Sequence, residues 1–283
     1  MTVLARGLFR VAVPALALLA ALGSCAAPRA GLPSAGEAPP AERLAASERA
    51  RAGSLRTVHA TGVAELRWSD RDGAHFEQGD LDLRWADGLG IAASVSKFGD
   101  RHAWLGSDGS RWWRFDLKAR PPALASGPLG PGAPDARPLE AFAASPATLG
   151  LRPLVPAPGA KVTLRDGLAW VDLEDGTIAG VKCEAGFDPA SCAPRALLLR
   201  PTVGPQLRAE FGELLSVGTD GAPEGAWPRI PRRITARRAG DDAAISITIG
   251  TAAADPGAAD RPALYDLEGL RARLMPTAAG EPR

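Results

Sequence analysis

From residue 55 onward, apolar and polar side chains alternate with a period of two, and Asp-Gly or Gly-Asp pairs cut the alternation at short intervals. Val58, Ala60, Gly62, Ala64, Leu66 and Trp68 fall on one side of the pattern; Thr57, His59, Thr61, Glu65 and Arg67 fall on the other. Successive side chains of a strand point to opposite faces, so this run is a half-buried strand. Asp72-Gly73 is a hairpin signal. Beyond it Leu81, Leu83 and Trp85 alternate with Asp80, Asp82 and Arg84. Asp87-Gly88, Gly99-Asp100 and Asp108-Gly109 then separate Ile91, Ala93 and Val95 from Ala103-Trp104-Leu105, and that run from residues 111–117. Strands joined by tight turns in this order form an antiparallel meander.

Further strands are expected at 161–164, 168–173, 196–200, 206–217, 229–238 and 243–251. Residues 119–137, rich in Pro, Gly and Ala, read as a long loop. Helical spacing appears at 41–53, at 138–151 with Pro146 as a break, and at 264–274, where Pro276 is a stop. Leu44 is the one large apolar residue of the first helix, which is therefore expected to pack lightly. No strand-helix-strand rhythm is present. The fold class is mainly β (α+β): a single antiparallel sheet with a few helices on one side.

The N-terminus carries Arg6 and Arg10, then an apolar run at 11–22, too short to span a bilayer and of the length of a secretory h-region. It ends in Leu22-Gly23-Ser24-Cys25, which closely resembles the bacterial lipobox. That resemblance implies cleavage before Cys25, a diacylglycerol on its thiol and a fatty acyl chain such as palmitate on the new amine. Two or more chains anchor stably where one is marginal. The expected organisation is a signal peptide at 1–24, a tether at 25–40, a folded domain at 41–276 and a tail at 277–283. The mature chain is expected in the cell envelope, facing the periplasm, and Ala26 after Cys25 favours the outer membrane.

Charge excludes little except bulk electrostatic binding of nucleic acid: 33 basic residues face 32 acidic ones. There is no Asn, hence no N-glycosylation acceptor. With Cys25 lipidated, Cys183 and Cys192 remain as an even pair around a short loop. A disulfide suits an oxidising compartment. A metal site needs two further ligands, and no His is near.

Catalytic motifs are missing. Ser94-Val95-Ser96-Lys97 has Ser-x-x-Lys spacing, but it falls on an expected strand where positions three apart face opposite sides. His59, His75 and His102 lack zinc-ligand spacing. There is no Gly-x-Ser-x-Gly and no phosphate loop. No enzyme, cofactor or metal is expected. The Arg-rich run at 228–238 reads either as lipid head-group contact or as an edge strand guarded by charge and Pro231. Seven Trp against one Tyr is unusual, and Trp68, Trp85, Trp104, Trp112 and Trp113 crowd the first strands. They read as sheet packing or as the lining of an apolar cavity. A cavity set is expected from Leu81, Leu83, Trp85, Ala93, Val95, Trp113, Phe115 and Phe211.

The order of parts, with Ser96-Lys97-Phe98-Gly99-Asp100, then Trp104-Leu105-Gly106-Ser107-Asp108-Gly109, then residues 112–117, resembles uncharacterised lipoproteins of the outer-membrane lipoprotein-sorting superfamily. That superfamily includes a periplasmic lipoprotein carrier and an outer-membrane lipoprotein receptor. The resemblance implies a strongly curved half-barrel, helices on its concave side, and a cavity for acyl chains. The function it implies is an anchored, non-catalytic protein that binds an acyl-bearing lipid or lipoprotein. The alternative is a scaffolding lipoprotein whose barrel is filled by its own side chains.

Overall fold

The computed structural model describes residues 37–129, 145–174, 181–201, 204–240, 242–258 and 260–275. Helix α1 (Ala41–Ala52) ends where Gly53 N–H donates to the Arg49 carbonyl, as the Gly stop signal indicates. The meander follows as β1 (Thr57–Asp70), β2 (Gly73–Ala86), β3 (Gly90–Lys97), β4 (Asp100–Ser107) and β5 (Arg111–Asp116). A sixth strand, β6 (Ala123–Pro128), lies in the stretch read from sequence as loop. It is an edge strand, the position where flanking prolines are tolerated.

The second half contributes β7 (Thr163–Arg165), β8 (Leu168–Asp172), β9 (Val181–Phe187), β10 (Pro194–Pro201), β11 (Leu207–Phe211), β14 (Arg233–Arg238) and β15 (Ala244–Ala253). With the meander they form a 13-stranded sheet in the order β6-β5-β4-β3-β2-β1-β15-β14-β11-β10-β9-β8-β7, antiparallel throughout. Strands β12 (Leu214–Ser216) and β13 (Arg229–Pro231) pair separately. The large sheet is open and not strongly curled. The Arg-rich run is divided: β13, with Pro231, is an edge strand of the two-stranded ribbon, whereas β14 lies between β11 and β15 and is not an edge. Arg233 and Arg237 simply point to solvent.

Helices lie on both faces of the sheet, not on one. Helix α1 and residues 147–154 pack against the first face, in one core with Val58, Leu83, Trp85, Leu197, Ala209 and Ile247. Helix α2 (Leu267–Leu274) packs against the second face, over Trp104, Trp113 and Phe115. Of the helix expected at 138–151, residues 138–144 lie outside the described chain. Residues 146–150 form a turn closed by Leu151 N–H on the Pro146 carbonyl.

Three Trp side chains lie across glycines on neighbouring strands. Trp112 pairs with Gly127, Trp113 with Gly106 and Trp170 with Gly186. A Cβ on Gly106 would come within 2.9 Å of the Trp113 ring, and one on Gly186 within 3.0 Å of the Trp170 ring. The indoles fill the space the missing side chains leave, which accounts for much of the aromatic content as packing.

Candidate functional site

The register decides which residues share a face. Val58, Trp85, Ile91, Ser107 and Trp112 form one cross-strand row; Ala60, Leu83 and Ala93 form the next; Gly62, Leu81 and Val95 form the third. On the other side of β1, Ala64 meets Ile247 and Leu66 meets Ile245. Ile247 meets Ile234, which meets Phe211. Leu81, Leu83, Trp85, Ala93, Val95 and Phe211 therefore share the first face. Trp113 and Phe115 do not. They occupy the rows of Ala92-Gly106 and Ser94-Trp104 on the second face. Adjacent Trp112 and Trp113 must point oppositely, and the pairing of Ser107 with Trp112 sends Trp112 to the first face.

The first face is closed at one end and half-open at the other. Leu83 and Trp85 are each 1% exposed beneath α1 and residues 147–154. That end is packed core, with no room for a ligand. Leu83→Trp is therefore expected to overpack it and lower stability by about 1–3 kcal/mol in chemical denaturation. Further along the same face Gly62, Ala64, Leu66 and Trp68 on β1, Val95 on β3 and Ile245 on β15 are only half-buried. Glu77, opposite Leu66, is exposed at the rim. The strip reaches a surface pocket of about 410 Å³ lined by Arg67, Trp68, His75, Phe76 and Asp242 among others. Trp68 and His75 stack there, with ring centroids 5.0 Å apart.

The same end of the sheet carries exposed aromatics. Phe98 in the β3–β4 turn is 93% exposed and adopts φ 55°, and Phe76 on β2 is 53% exposed. Lys97 Nζ lies 5.7 Å from the Phe98 ring centroid, and the Arg67 guanidinium 5.2 Å from that of Phe76. Sequence periodicity places Phe76 on a strand but does not reveal this exposure.

The closed end is held by charges that sequence reasoning did not single out. Glu48 and Arg51 lie in the same helical stripe as Ala41, Leu44, Ala45 and Ala52, and both are buried. Arg51 Nε donates to Glu48 Oε1 at 2.7 Å, and the Arg51 guanidinium also donates to the carbonyls of Gly150, Arg229 and Arg152. Glu48 Oε2 accepts from Leu154 N–H at 2.8 Å. Helix α1 is thus firmly seated rather than lightly packed. The usable signal was the presence of two opposite charges inside the apolar stripe.

Cys183 and Cys192 are both buried, and no disulfide joins them. The disulfide read from cysteine parity is not formed. Cys183 sits within β9, whereas Cys192 N–H bonds to Asp188 O just beyond the strand's end. Five strand positions separate Cys183 from Asp188, about 16 Å at the usual rise, against the roughly 7 Å limit for a bridge. Burial pushes the Cys192 thiol up, against the pull of Arg43. The turn between them is stabilised instead by Asp188, whose carboxylate accepts from Ser191 N–H and hydroxyl and from Ala190 N–H. These hydrogen bonds hold its pKa below the ordinary value. Cys25 lies outside the described residues.

No family model matches the chain, and no curated protein matches it. Among solved structures it is similar to a LolA superfamily protein from Nitrosomonas europaea, at 10% identity and a TM-score of 0.47, over 76% of this chain and 93% of that one. It is also similar to a putative outer membrane lipoprotein-sorting protein domain from Vibrio parahaemolyticus, at 10% identity and a TM-score of 0.44, over 77% and 94%. A third similarity is to a DUF1329 family protein from Desulfovibrio piger, at 9% identity and a TM-score of 0.48, over 81% and 97%.

Proposed function

We propose that the protein is a lipid-anchored, non-catalytic envelope protein that binds an acyl-bearing ligand, a lipid or lipoprotein, along the half-covered strip of its first face. The observation that carries this reading is the continuity of that strip. Buried Leu81 and Ile247 pass without a break into half-buried Gly62, Ala64, Leu66, Val95 and Ile245, and on to the pocket at Trp68 and His75. A linear apolar track with a polar rim matches an extended hydrocarbon chain ending in a head group. Phe98, in the turn beside Lys97, suits the boundary between head groups and acyl chains. Anchoring at Cys25, an outer-membrane location and a half-barrel bend of the sheet around the ligand belong to the same reading.

A second reading, a scaffolding lipoprotein with a filled interior, has its own support in the closed packing of Leu83, Trp85 and Ala93. Titrating a fluorescent fatty acid into the full chain carrying Cys25→Ser separates the two. Saturable binding is expected, and Leu66→Glu is expected to weaken it about tenfold, because the strip then holds a charge against the chain. The new carboxylate stands opposite Glu77, so the melting temperature of the variant is measured alongside to confirm that the fold is kept. Absence of saturable binding, or equal binding by the variant, favours the scaffold.

A further inference from the structure

The second face of the sheet carries its own small core, separate from the large one. Trp104, Trp113, Phe115, Ala86 and Ala92 form its floor; Ala258, Tyr265, Leu267 and Leu270 form its roof. Three hydrogen-bond donors in it have no partner among the described residues: Trp104 Nε1, Trp113 Nε1 and the Tyr265 hydroxyl. All three side chains are more than nine-tenths buried. Buried indole and phenol donors are normally satisfied, since each one left unpaired is destabilising. Three in one core of this size call for an acceptor.

The roof is built like a flap with a latch at its base. Asp255 N–H donates to Thr57 Oγ1 at 3.1 Å. The Asp255 carboxylate accepts from Arg84 Nη1 at 2.8 Å and also from Arg261. Arg84 lies 3.4 Å from Asp82, which also contacts His59 at 3.0 Å. Beyond this network the roof is held by apolar side chains of a helix of 8 residues, chiefly Leu267 and Leu270. Positive charge flanks the floor: the guanidiniums of Arg101 and Arg273 lie 4.8 and 6.0 Å from the Trp104 ring.

We propose that this core is a second ligand site, covered by α2, for an acyl chain whose head group offers acceptor oxygens, as a carboxylate or an ester does. The chain takes the place of Leu267 and Leu270 against Trp104, Trp113 and Phe115. The head-group oxygens accept from the indole N–H groups and the Tyr265 hydroxyl. Arg101, on the floor strand β4, favours an anionic head. The Asp255 latch keeps the base of the flap attached while α2 moves away. The site lies on the face opposite the strip proposed above, so the two stand or fall separately.

The test uses the 15N-labelled full chain carrying Cys25→Ser. The indole N–H signals of Trp104, Trp113 and Trp85 are assigned by single Trp→Phe substitutions. Sodium oleate, monoolein and oleylamine are added below their aggregation limits. The Trp104 and Trp113 signals are expected to move saturably with oleate or monoolein and not with oleylamine, which has no acceptor carbonyl. A response to oleate alone assigns a free carboxylate head, and a response to monoolein assigns an ester. Movement of Trp85 instead reports the first face. Tyr265→Phe is expected to weaken oleate binding at this site about tenfold without lowering the melting temperature of the unliganded protein, because it removes an unsatisfied hydroxyl. Leu270→Ala, which loosens the flap, is expected to tighten binding. Unmoved Trp104 and Trp113 signals, an equal response to oleylamine, or wild-type affinity in Tyr265→Phe would each overturn the proposal.

Discussion

Glu48→Ala is expected to cost about 3–5 kcal/mol of stability, the range for breaking a buried pair from one side. The reason is the Arg51 guanidinium it leaves behind. That group is buried against the carbonyls of Gly150, Arg152 and Arg229, and among the described residues Glu48 is the carboxylate that pairs with it. Leu154 N–H also loses its acceptor. The effect reaches the functional face, because these contacts fasten α1 and residues 147–154 over Trp85. The signature is a lower urea midpoint with an unchanged slope, together with a more solvent-exposed Trp85 in fluorescence quenching. Removing both charges, Glu48→Leu with Arg51→Met, is expected to cost less than the sum of the two single changes. A loss under about 1 kcal/mol in Glu48→Ala would mean that α1 is not seated as described.

Gly62→Val is expected to be comparably damaging. Gly62 lies where β1 joins β15, the seam that connects the meander to the second half of the sheet. The pairing register shifts there, between Thr61 and Gly62. A Cβ on Gly62 would lie 2.0 Å from the Thr248 carbonyl oxygen and 2.9 Å from the Ile249 Cα. Those are backbone atoms of a paired strand and cannot swing aside. Overpacking in flexible cores costs about 1–3 kcal/mol, and a backbone clash lies at or above the upper end of that range. Gly225→Ala is the control: a Cβ there meets nothing within 4 Å, and its effect should stay within about 0.5 kcal/mol. Equal stability of Gly62→Val and the control would rule out the seam.

The two variants probe features of different legibility. The meander from β1 to β5, the first helix and its Gly53 stop, and the last helix were readable, because period-two alternation and turn residues are local signals. Strand β9 was not recognised. Its inward residues Val181, Cys183, Ala185 and Phe187 do alternate, but Ala and Gly between charged residues give the pattern little contrast. The faces of Trp112 and Trp113 were unreadable because register is a property of pairs of strands, not of one. Cysteine parity pointed to a disulfide because parity carries no distance, and the length of β9 sets the two thiols apart. The thin apolar stripe of the first helix gave no sign that Glu48 and Arg51 are buried. Their role depends on carbonyls about a hundred or more residues away, which no local pattern contains. Of the candidate site, the apolar rows through Leu81, Leu83, Trp85, Ala93 and Val95 were legible. The half-open end at Ala64, Leu66 and Ile245 appears only once β15 is seen to pair with β1.

The most direct test of acyl-ligand binding on the first face is native mass spectrometry of the wild-type protein, extracted from membranes in a neutral detergent. The expected result is a non-covalently bound acyl-bearing molecule that dissociates on activation, is retained by Gly225→Ala and is lost in Leu66→Glu. Wild-type protein that carries no such mass, or a Leu66→Glu variant that carries it equally, would contradict binding along this strip.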